Sequence, residues 1–351
     1  MKTKFSSFCL NGISSGCKYC VKGRKLVLFI SGKCSRNCSY CSLSEKRKNK
    51  DTIWANEREC RNIKEVIKEA RESRATSAGI TGGDPLLFLS RTLKFAEELK
   101  KTFGKNFHIH IYLPTKLVTK EKLKKLSKYI DGVRFHPGFL ANKLNEKQIR
   151  EEITKIKLAK LFWDKKNIGI ELPMIPDKKK EIFAFIKQVK PFISFVNLNE
   201  FEISDTNFNY IIKHYKLNSD TYTIKNSVQA GLWIIKQCKK SRLNLKIHLC
   251  TAKTKNFFQY QNRLKLHTTL PYGFRTQEGL VKYFAIYAKN NKELNKIFKE
   301  IKKLKHLYID ASKNRIILSE KTTRKLLGKY KITRVEEFPT YDGIEVESEV
   351  L

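Results

Sequence analysis

Three cysteines stand within eight residues near the start of the chain, at Cys34, Cys38 and Cys41. Three thiolates at this spacing can wrap one face of a cuboidal iron–sulfur cluster, which is normally held by four cysteines. The fourth iron would then stay open to a small molecule. Zinc sites usually take paired cysteines from two separated knuckles, so the spacing is atypical of zinc. The motif favours an iron–sulfur cluster with one open iron.

The compartment bears on how the nine cysteines are used. The first ten residues lack the apolar core of a secretion signal, and no run approaches the roughly 18 apolar residues of a membrane span. We therefore expect a cytoplasmic protein with no membrane partner. Disulfides are rare in that compartment, where clustered cysteines usually bind metal.

An apolar run at residues 26–30 directly precedes the three cysteines and predicts a strand. Strand-like and helix-like segments then alternate to about residue 255, which predicts a parallel sheet covered by helices. About six or seven such units favour an α/β fold of the partial (β/α)6–7 TIM-like barrel type. Functional residues of such barrels lie at the carboxyl ends of the strands, where the sequence places Cys34 and Gly82.

Polar residues on and after the predicted strands are a second chemical signal. A purely structural barrel would fill its interior with Val, Ile and Leu, so polar residues there predict a lumen that binds a ligand. Any one of them is as well explained as a buried, hydrogen-bonded group, and the prediction therefore rests on the set. The set consists of Tyr112, His136, Glu171 and Asn199.

Two motifs together resemble a known family. Cys34-x3-Cys38-x2-Cys41, with the aromatic Tyr40 before the last cysteine, resembles the signature of the radical S-adenosylmethionine (SAM) superfamily. Gly82-Gly83-Asp84-Pro85, at the end of the second predicted strand, resembles that family's Gly-Gly-Glu-Pro motif. The chain is also similar to archaeal proteins related to pyruvate formate-lyase activating enzyme. The resemblance covers roughly residues 24–250.

This resemblance implies an enzyme and its cofactors. Cys34, Cys38 and Cys41 would hold a [4Fe–4S] cluster whose open iron chelates the amino and carboxylate groups of SAM. One electron from a ferredoxin- or flavodoxin-type donor would cleave SAM to methionine and a 5′-deoxyadenosyl radical, which abstracts a hydrogen atom from the substrate. The cofactors carry this chemistry, while the protein positions them and excludes water.

The resemblance also assigns SAM-binding residues, namely Tyr40, Gly82, Gly83, Asp84 and Pro85. The glycines, lacking side chains, let backbone carbonyls approach the methionyl amino group. Asp84 departs from the Glu of the family motif. Because the family's contacts here are largely main-chain, we expect SAM binding to survive that change.

A second group of cysteines lies in the first 23 residues, which are rich in Cys, Gly and Ser and are expected to form an irregular lid or metal knuckle. Cys9, Cys17 and Cys20 form the group, and Cys250, close to His248, is the candidate fourth ligand. Many radical SAM enzymes carry auxiliary clusters. An auxiliary [4Fe–4S] cluster, a structural zinc ion and spare thiols all stay open, since ligand type alone does not separate iron–sulfur from zinc.

After about residue 255 the pattern changes to the order β-α-β-β-α-β of the ferredoxin-like motif. We therefore divide the chain into an N-terminal Cys-rich segment (1–23), a radical SAM barrel domain (24–255) and a small C-terminal α+β module (256–351).

The net charge of +38, from 72 Lys and Arg against 34 Asp and Glu, attracts polyanions. Lysines spread along the whole chain also fit a compositional origin. The charge, the C-terminal module and the aromatics within residues 253–265 favour RNA, above all tRNA, as the substrate. The alternative is a protein-directed enzyme such as a glycyl-radical enzyme activase. A non-enzymatic iron–sulfur protein would have no use for the loop of Gly82 and Gly83.

Overall fold

The computed structural model describes residues 1–219 and 222–351. It divides into two compact units, Met1–Arg71 with Ala75–Tyr260 and Glu72–Arg74 with Gln261–Leu351. The three-part division expected from the sequence stays a prediction beside these two units. In the described part of the chain, no helix combines the length and the apolar character needed to cross a membrane.

The first unit alternates strands and helices. Its strands are β1 (Phe8–Leu10), β2 (Lys25–Phe29), β3 (Ile53–Ala55), β4 (Arg58–Cys60), β5 (Ser77–Thr81), β6 (His108–Pro114), β7 (Gly132–His136), β8 (Ile168–Met174), β9 (Phe195–Glu200) and β10 (Lys246–Cys250). Its helices are α1 (Ser15–Cys20), α2 (Ile63–Glu72), α3 (Leu89–Phe103), α4 (Lys120–Leu126), α5 (Glu146–Leu158), α6 (Lys179–Val189), α7 (Phe208–His214), α8 (Ser227–Lys240) and α9 (Ala252–Thr254), and a π-helix spans Lys255–Tyr260.

The ten strands form one sheet in the order β1-β10-β9-β8-β7-β6-β5-β2-β3-β4. The pairs from β10 to β2 are parallel, whereas β1, β3 and β4 pair antiparallel at the two edges. The expected α/β fold with a mostly parallel sheet is confirmed. The order is a path with β1 and β4 at its ends, and the expected partial TIM-like barrel stays a prediction.

Residue alternation gives the sheet two unlike faces, because successive side chains of a strand point to opposite sides. One face is apolar and buried under the helices; Ile109, Ile111 and Leu113 of β6 are fully buried there. We call the other the lumenal face. Its polar residues include Lys25, His108, His110, Tyr112, Arg134, His136, Glu171, Asn197, Asn199, His248 and Cys250.

The N-terminal 23 residues are more regular than expected. They form β1, which pairs with β10, and α1, whose Gly16, Cys17 and Cys20 are buried. A three-residue strand and a six-residue helix are too short to show a hydrophobic period. Tyr19 of α1 stacks on His108 at the start of β6, with ring centroids 5.5 Å apart. The helix therefore lies at the end of the lumenal face where that strand begins.

The second unit is an antiparallel sheet with helices. Its strands are β11 (Phe274–Arg275), β12 (Val281–Tyr287), β13 (Leu307–Asp310), β14 (Arg315–Leu318), β15 (Ile332–Glu337) and β16 (Glu345–Val350), and its helices are α10 (Gln261–Leu266), α11 (Asn291–Ile301) and α12 (Glu320–Leu326). The order β12-α11-β13-β14-α12-β15 is the predicted β-α-β-β-α-β, in a sheet ordered β13-β14-β12-β15-β16. The added β16 pairs antiparallel with β15.

Candidate functional site

One cavity of about 680 Å³ in the first unit brings together most of the residues singled out from the sequence. It lies between the lumenal face and the loop that follows β2. The predicted residues that line it are Cys34, Cys38, Cys41, Tyr40, Gly82, Gly83, Tyr112, His136, Glu171 and Asn199. Asp84 and Pro85 are buried outside this lining.

The cysteine loop turns sharply enough for its sulfurs to share the cavity. The backbone N–H of Cys41 donates to the carbonyl of Cys38 at 3.1 Å, and the N–H of Arg36 donates to the sulfur of Cys34 at 3.4 Å. Burial raises the pKa values of Cys34 and Cys38, so these thiols give up protons when they bind a metal.

The spread of the three sulfurs tests which metal group they fit. They do not all lie within 4.8 Å of one another. Tetrahedral zinc, with Zn–S bonds of about 2.3 Å, needs sulfurs about 3.8 Å apart. A cuboidal cluster binds each thiolate at a different iron and does not require sulfurs so close together.

Arg36, inside the cysteine motif, fastens the loop to the sheet. Its guanidinium forms an ion pair with Glu152 of α5 at 2.8 Å, and it donates to Thr115 at 2.5 Å and to the carbonyl of His136 at 2.7 Å. Glu152 also accepts from the hydroxyl of Thr115 and from the N–H of Gly138. Both charged side chains are largely buried, so the pair fixes the loop against β6, β7 and α5.

Tyr40 is held by His136 of β7. The Nδ1 of His136 lies 3.0 Å from the carbonyl oxygen of Glu171, which can only accept, so this nitrogen carries the proton. The Nε2 therefore accepts from the hydroxyl of Tyr40 at 2.9 Å. Burial lowers the pKa of His136, which keeps the ring neutral. The aromatic residue of the cysteine motif is thus oriented by a strand-end histidine.

The glycine motif docks directly on the cysteine loop. Gly82 has φ +151°, and a Cβ there would lie 2.6 Å from the carbonyl oxygen of Ser31. A Cβ on Gly83 would lie 2.3 Å from the carbonyl oxygen of Lys33. Only glycine allows this approach without a shift of the backbone. The N–H of Gly83 donates to Ser31 and the N–H of Asp84 to Lys33, at 2.8 and 2.9 Å.

The side chain of Asp84 has a structural role. Its carboxylate accepts from the hydroxyl of Ser35 at 2.5 Å and from the N–H of Leu86 at 3.0 Å, which caps the short 3-10 helix Pro85–Phe88. Burial raises the pKa of Asp84 in spite of these bonds. Asp84 is not part of the cavity lining, which this motif reaches through Gly82 and Gly83.

A charged network forms the floor of the cavity. Glu171 of β8 forms an ion pair with Arg134 of β7 at 2.7 Å and accepts from the amides of Asn197 and Asn199, each at 2.9 Å. Burial acts to raise the pKa of Glu171, but Arg134 and the two amides outweigh it and lower the pKa. Arg134 also donates to Tyr112 at 3.2 Å. Arg134, which lies outside the expected set, links Tyr112 to Glu171, and Glu171 in turn bonds to Asn199 and His136.

The second cysteine group lies beside this network. The guanidinium of Arg134 and the side-chain oxygen of Asn197 each lie 3.6 Å from the sulfur of Cys17. Burial acts to raise the pKa of Cys17, but Arg134 and His248 outweigh it and lower the pKa to about 6. Cys250 is buried and accepts from the amide of Gln259 at 3.2 Å. Cys9 is half-buried on β1, opposite His248.

Comparisons with known proteins show the family of the chain. The family model of the radical SAM superfamily matches residues 28–141. A protein of Methanocaldococcus jannaschii, named as a candidate glycyl-radical enzyme activating enzyme, is 34% identical across 95% of this chain and 92% of its own length. The chain therefore belongs to the radical SAM superfamily. It is an enzyme, and its family implies SAM and a [4Fe–4S] cluster as cofactors.

Solved structures give a more distant likeness. The radical SAM methyltransferase TsrM of Kitasatospora setae, solved with tryptophan and a SAM analogue, is 14% identical with a TM-score of 0.35. The match covers 54% of this chain and 39% of that enzyme, so the chain spans about two fifths of the enzyme's length. The same enzyme solved with cobalamin and a [4Fe–4S] cluster is 13% identical with a TM-score of 0.36, over 55% of this chain and 38% of that one.

Proposed function

We propose that this enzyme reductively cleaves SAM at a [4Fe–4S] cluster held by Cys34, Cys38 and Cys41, and that the resulting radical acts on a protein, as in a glycyl-radical enzyme activase. When bound, the cluster and SAM supply the one-electron cleavage that yields methionine and a 5′-deoxyadenosyl radical. The cleavage rests on one observation: the three thiols and the two glycines of the second motif line a single cavity. A one-electron donor of the ferredoxin or flavodoxin type completes the reaction.

The chain's own residues position the reacting groups. Arg36 and Glu152 hold the cysteine loop against the sheet, and His136 orients Tyr40 at its end. The close packing of Gly82 and Gly83 presents backbone to the cavity. Because the Asp84 carboxylate is occupied by Ser35 and Leu86, the departure from the family's Glu leaves that main-chain surface intact. We propose Gly82, Gly83 and Tyr40 as SAM contacts, with Asp84 and Pro85 shaping the loop.

The floor of the cavity is where the substrate would sit. Tyr112, Glu171 and Asn199 surround it together with His136 and Arg134. Their polar groups are already joined by hydrogen bonds, so the floor is a preorganised surface able to exchange hydrogen bonds with a backbone amide. Burial of these groups strengthens such contacts because the local dielectric is low.

A protein substrate is favoured over tRNA by the relative from Methanocaldococcus jannaschii, whose name describes an activating enzyme and whose length this chain matches almost completely. The tRNA prediction rests on charge and on the aromatics within residues 253–265. Part of that segment is used internally: Phe258 packs edge-on against Phe5 at 5.6 Å, and Lys255 pairs with Glu202 at 2.8 Å. Phe257 remains 51% exposed.

The substrate class is tested with two substrates side by side. The reconstituted enzyme, SAM and a strong reductant are mixed under anaerobic conditions with a glycyl-radical enzyme from the same organism. We expect a carbon-centred radical on that protein by electron paramagnetic resonance (EPR). Total tRNA from a strain lacking this gene is compared with parental tRNA by nucleoside mass spectrometry. A nucleoside missing from the deletion strain, with no radical on the protein, would overturn the protein-directed proposal in favour of tRNA.

A further inference from the structure

Three buried cysteines of the second group lie on or against the lumenal face. Cys17 and Cys20 are three residues apart on α1, so they share one face of that helix, and both are buried. Cys250 ends β10 on the lumenal face. The sulfur of Cys17 lies 3.6 Å from the side-chain oxygen of Asn197 on β9, and Asn197 pairs with His248 on β10. Helix α1 therefore brings its two cysteines towards the strand that ends at Cys250.

His248 lies two residues before Cys250, on the same face of β10. Its side chain is 1% exposed, and within residues 1–219 and 222–351 neither of its ring nitrogens has a hydrogen-bond partner of good geometry. His136, on the same sheet, has both nitrogens bonded. A buried imidazole without such bonds, next to the sulfur of Cys17, is an arrangement that a metal would satisfy.

The spacing of these groups argues against a compact zinc site. Among the residues that the structure describes, no three of these sulfur and nitrogen atoms all lie within 4.8 Å of one another. Zinc would need ligand atoms less than about 4 Å apart. Cys34, Cys38 and Cys41 likewise do not all lie within 4.8 Å of one another. The guanidinium of Arg134, 3.6 Å from the sulfur of Cys17, supplies positive charge beside a centre that gathers thiolates.

We propose that Cys17, Cys20, Cys250 and His248 hold a second iron–sulfur cluster on the lumenal face. Cys9, which the sequence suggested as a ligand, lies outside this set. It lies on the edge strand β1 directly opposite His248, but it is only half-buried, whereas the four proposed ligands are buried. The second cluster borders the network of Arg134 and Glu171 that forms the floor of the SAM cavity. This proposal does not depend on which substrate the enzyme uses.

The test starts from the full chain with Cys34→Ala, Cys38→Ala and Cys41→Ala, reconstituted anaerobically with iron and sulfide. This triple variant should bind about four irons per chain and give the EPR signal of a reduced cluster. Adding Cys17→Ser or Cys250→Ser should lower the bound iron to background. Adding Cys9→Ser, or Cys238→Ser in the core of α8, should leave the iron unchanged. Adding His248→Ala should lose iron, and His248→Cys should restore it with a shifted EPR signal.

Three outcomes would overturn the proposal: a metal-free triple variant, zinc in place of iron, or loss of iron in the Cys9→Ser variant as complete as in Cys17→Ser. Circular dichroism and thermal melting, with Cys238→Ser as the reference, show whether each variant folds. If the Cys17 and Cys250 variants do not fold, the wild-type chain decides. About eight irons with two EPR-distinguishable clusters support the second centre, and about four irons overturn it.

Discussion

Glu171→Gln tests the buried network under the cavity. The substitution keeps the size of the side chain and removes its charge. Arg134 then loses the carboxylate at 2.7 Å, in a place where its side chain is only 4% exposed. Leaving one member of a buried ion pair without its partner costs about 3–5 kcal/mol. At about 2–4 °C per kcal/mol for a unit of this size, we expect the melting temperature to fall by about 6–20 °C.

The assay is thermal unfolding of wild-type and variant chains, followed by circular dichroism in the same cofactor state. Glu121→Gln is the matched control. Its carboxylate pairs with Lys125 at 2.6 Å, but the pair is exposed to solvent, where such pairs contribute at most about 1 kcal/mol. The control should therefore shift the melting temperature by no more than about 4 °C. A Glu171→Gln shift no larger than that of the control would refute the argument that this network is buried and tightly coupled.

Three further predictions concern the elements around the cavity. Gly83→Ala places a methyl group 2.3 Å from the carbonyl oxygen of Lys33. Because the loop must then shift, the variant should bind SAM at least about tenfold more weakly in equilibrium dialysis. The control Gly104→Ala has no atom within 4 Å of its new Cβ and should leave SAM binding unchanged. Arg36→Ala leaves the buried Glu152 without its ion-pair partner and should lower the unfolding free energy by about 3–5 kcal/mol. The control Arg91→Ala removes a more exposed pair with Asp51 and should cost about 1 kcal/mol or less. Equal losses in the two variants would contradict the anchoring role of Arg36. The folded-state pKa of Glu171 lies below its usual 4.5, so the ion pair stabilises the chain above that pH and is lost as the pH falls through the lowered value. The difference in melting temperature between wild type and Glu171→Gln should therefore shrink below about pH 4.5. A constant difference down to pH 3 would contradict this prediction.

The cofactor motifs could be predicted because their spacing is local. One loop after β2 holds Cys34, Cys38 and Cys41, and Gly82 and Gly83 directly follow β5. The two motifs lie side by side because β2 and β5 are neighbouring parallel strands. The α/β fold was predictable for a similar reason, since each βα unit shows its own hydrophobic period.

The contacts that fix the site were beyond the sequence. Arg36 and Glu152 are 116 positions apart, and nothing local in either segment indicates that they meet. The short edge strands β1, β3 and β4, with three residues each, are shorter than any detectable alternation. The second cysteine group was predictable only in part. The spacing of Cys17 and Cys20 is visible in the sequence, whereas the choice of His248 over Cys9 rests on burial and hydrogen bonding that only the fold reveals.

The central claim is tested most directly by product analysis with SAM as the only substrate. Anaerobically reconstituted enzyme, SAM and a strong reductant should yield 5′-deoxyadenosine and methionine, measured by liquid chromatography and mass spectrometry. The Cys34→Ala, Cys38→Ala and Cys41→Ala triple variant should yield none, while Cys60→Ser, at a buried thiol outside the cavity, should match the wild type. Undiminished 5′-deoxyadenosine from the triple variant, or none from a wild-type chain that has bound its iron, would contradict the account.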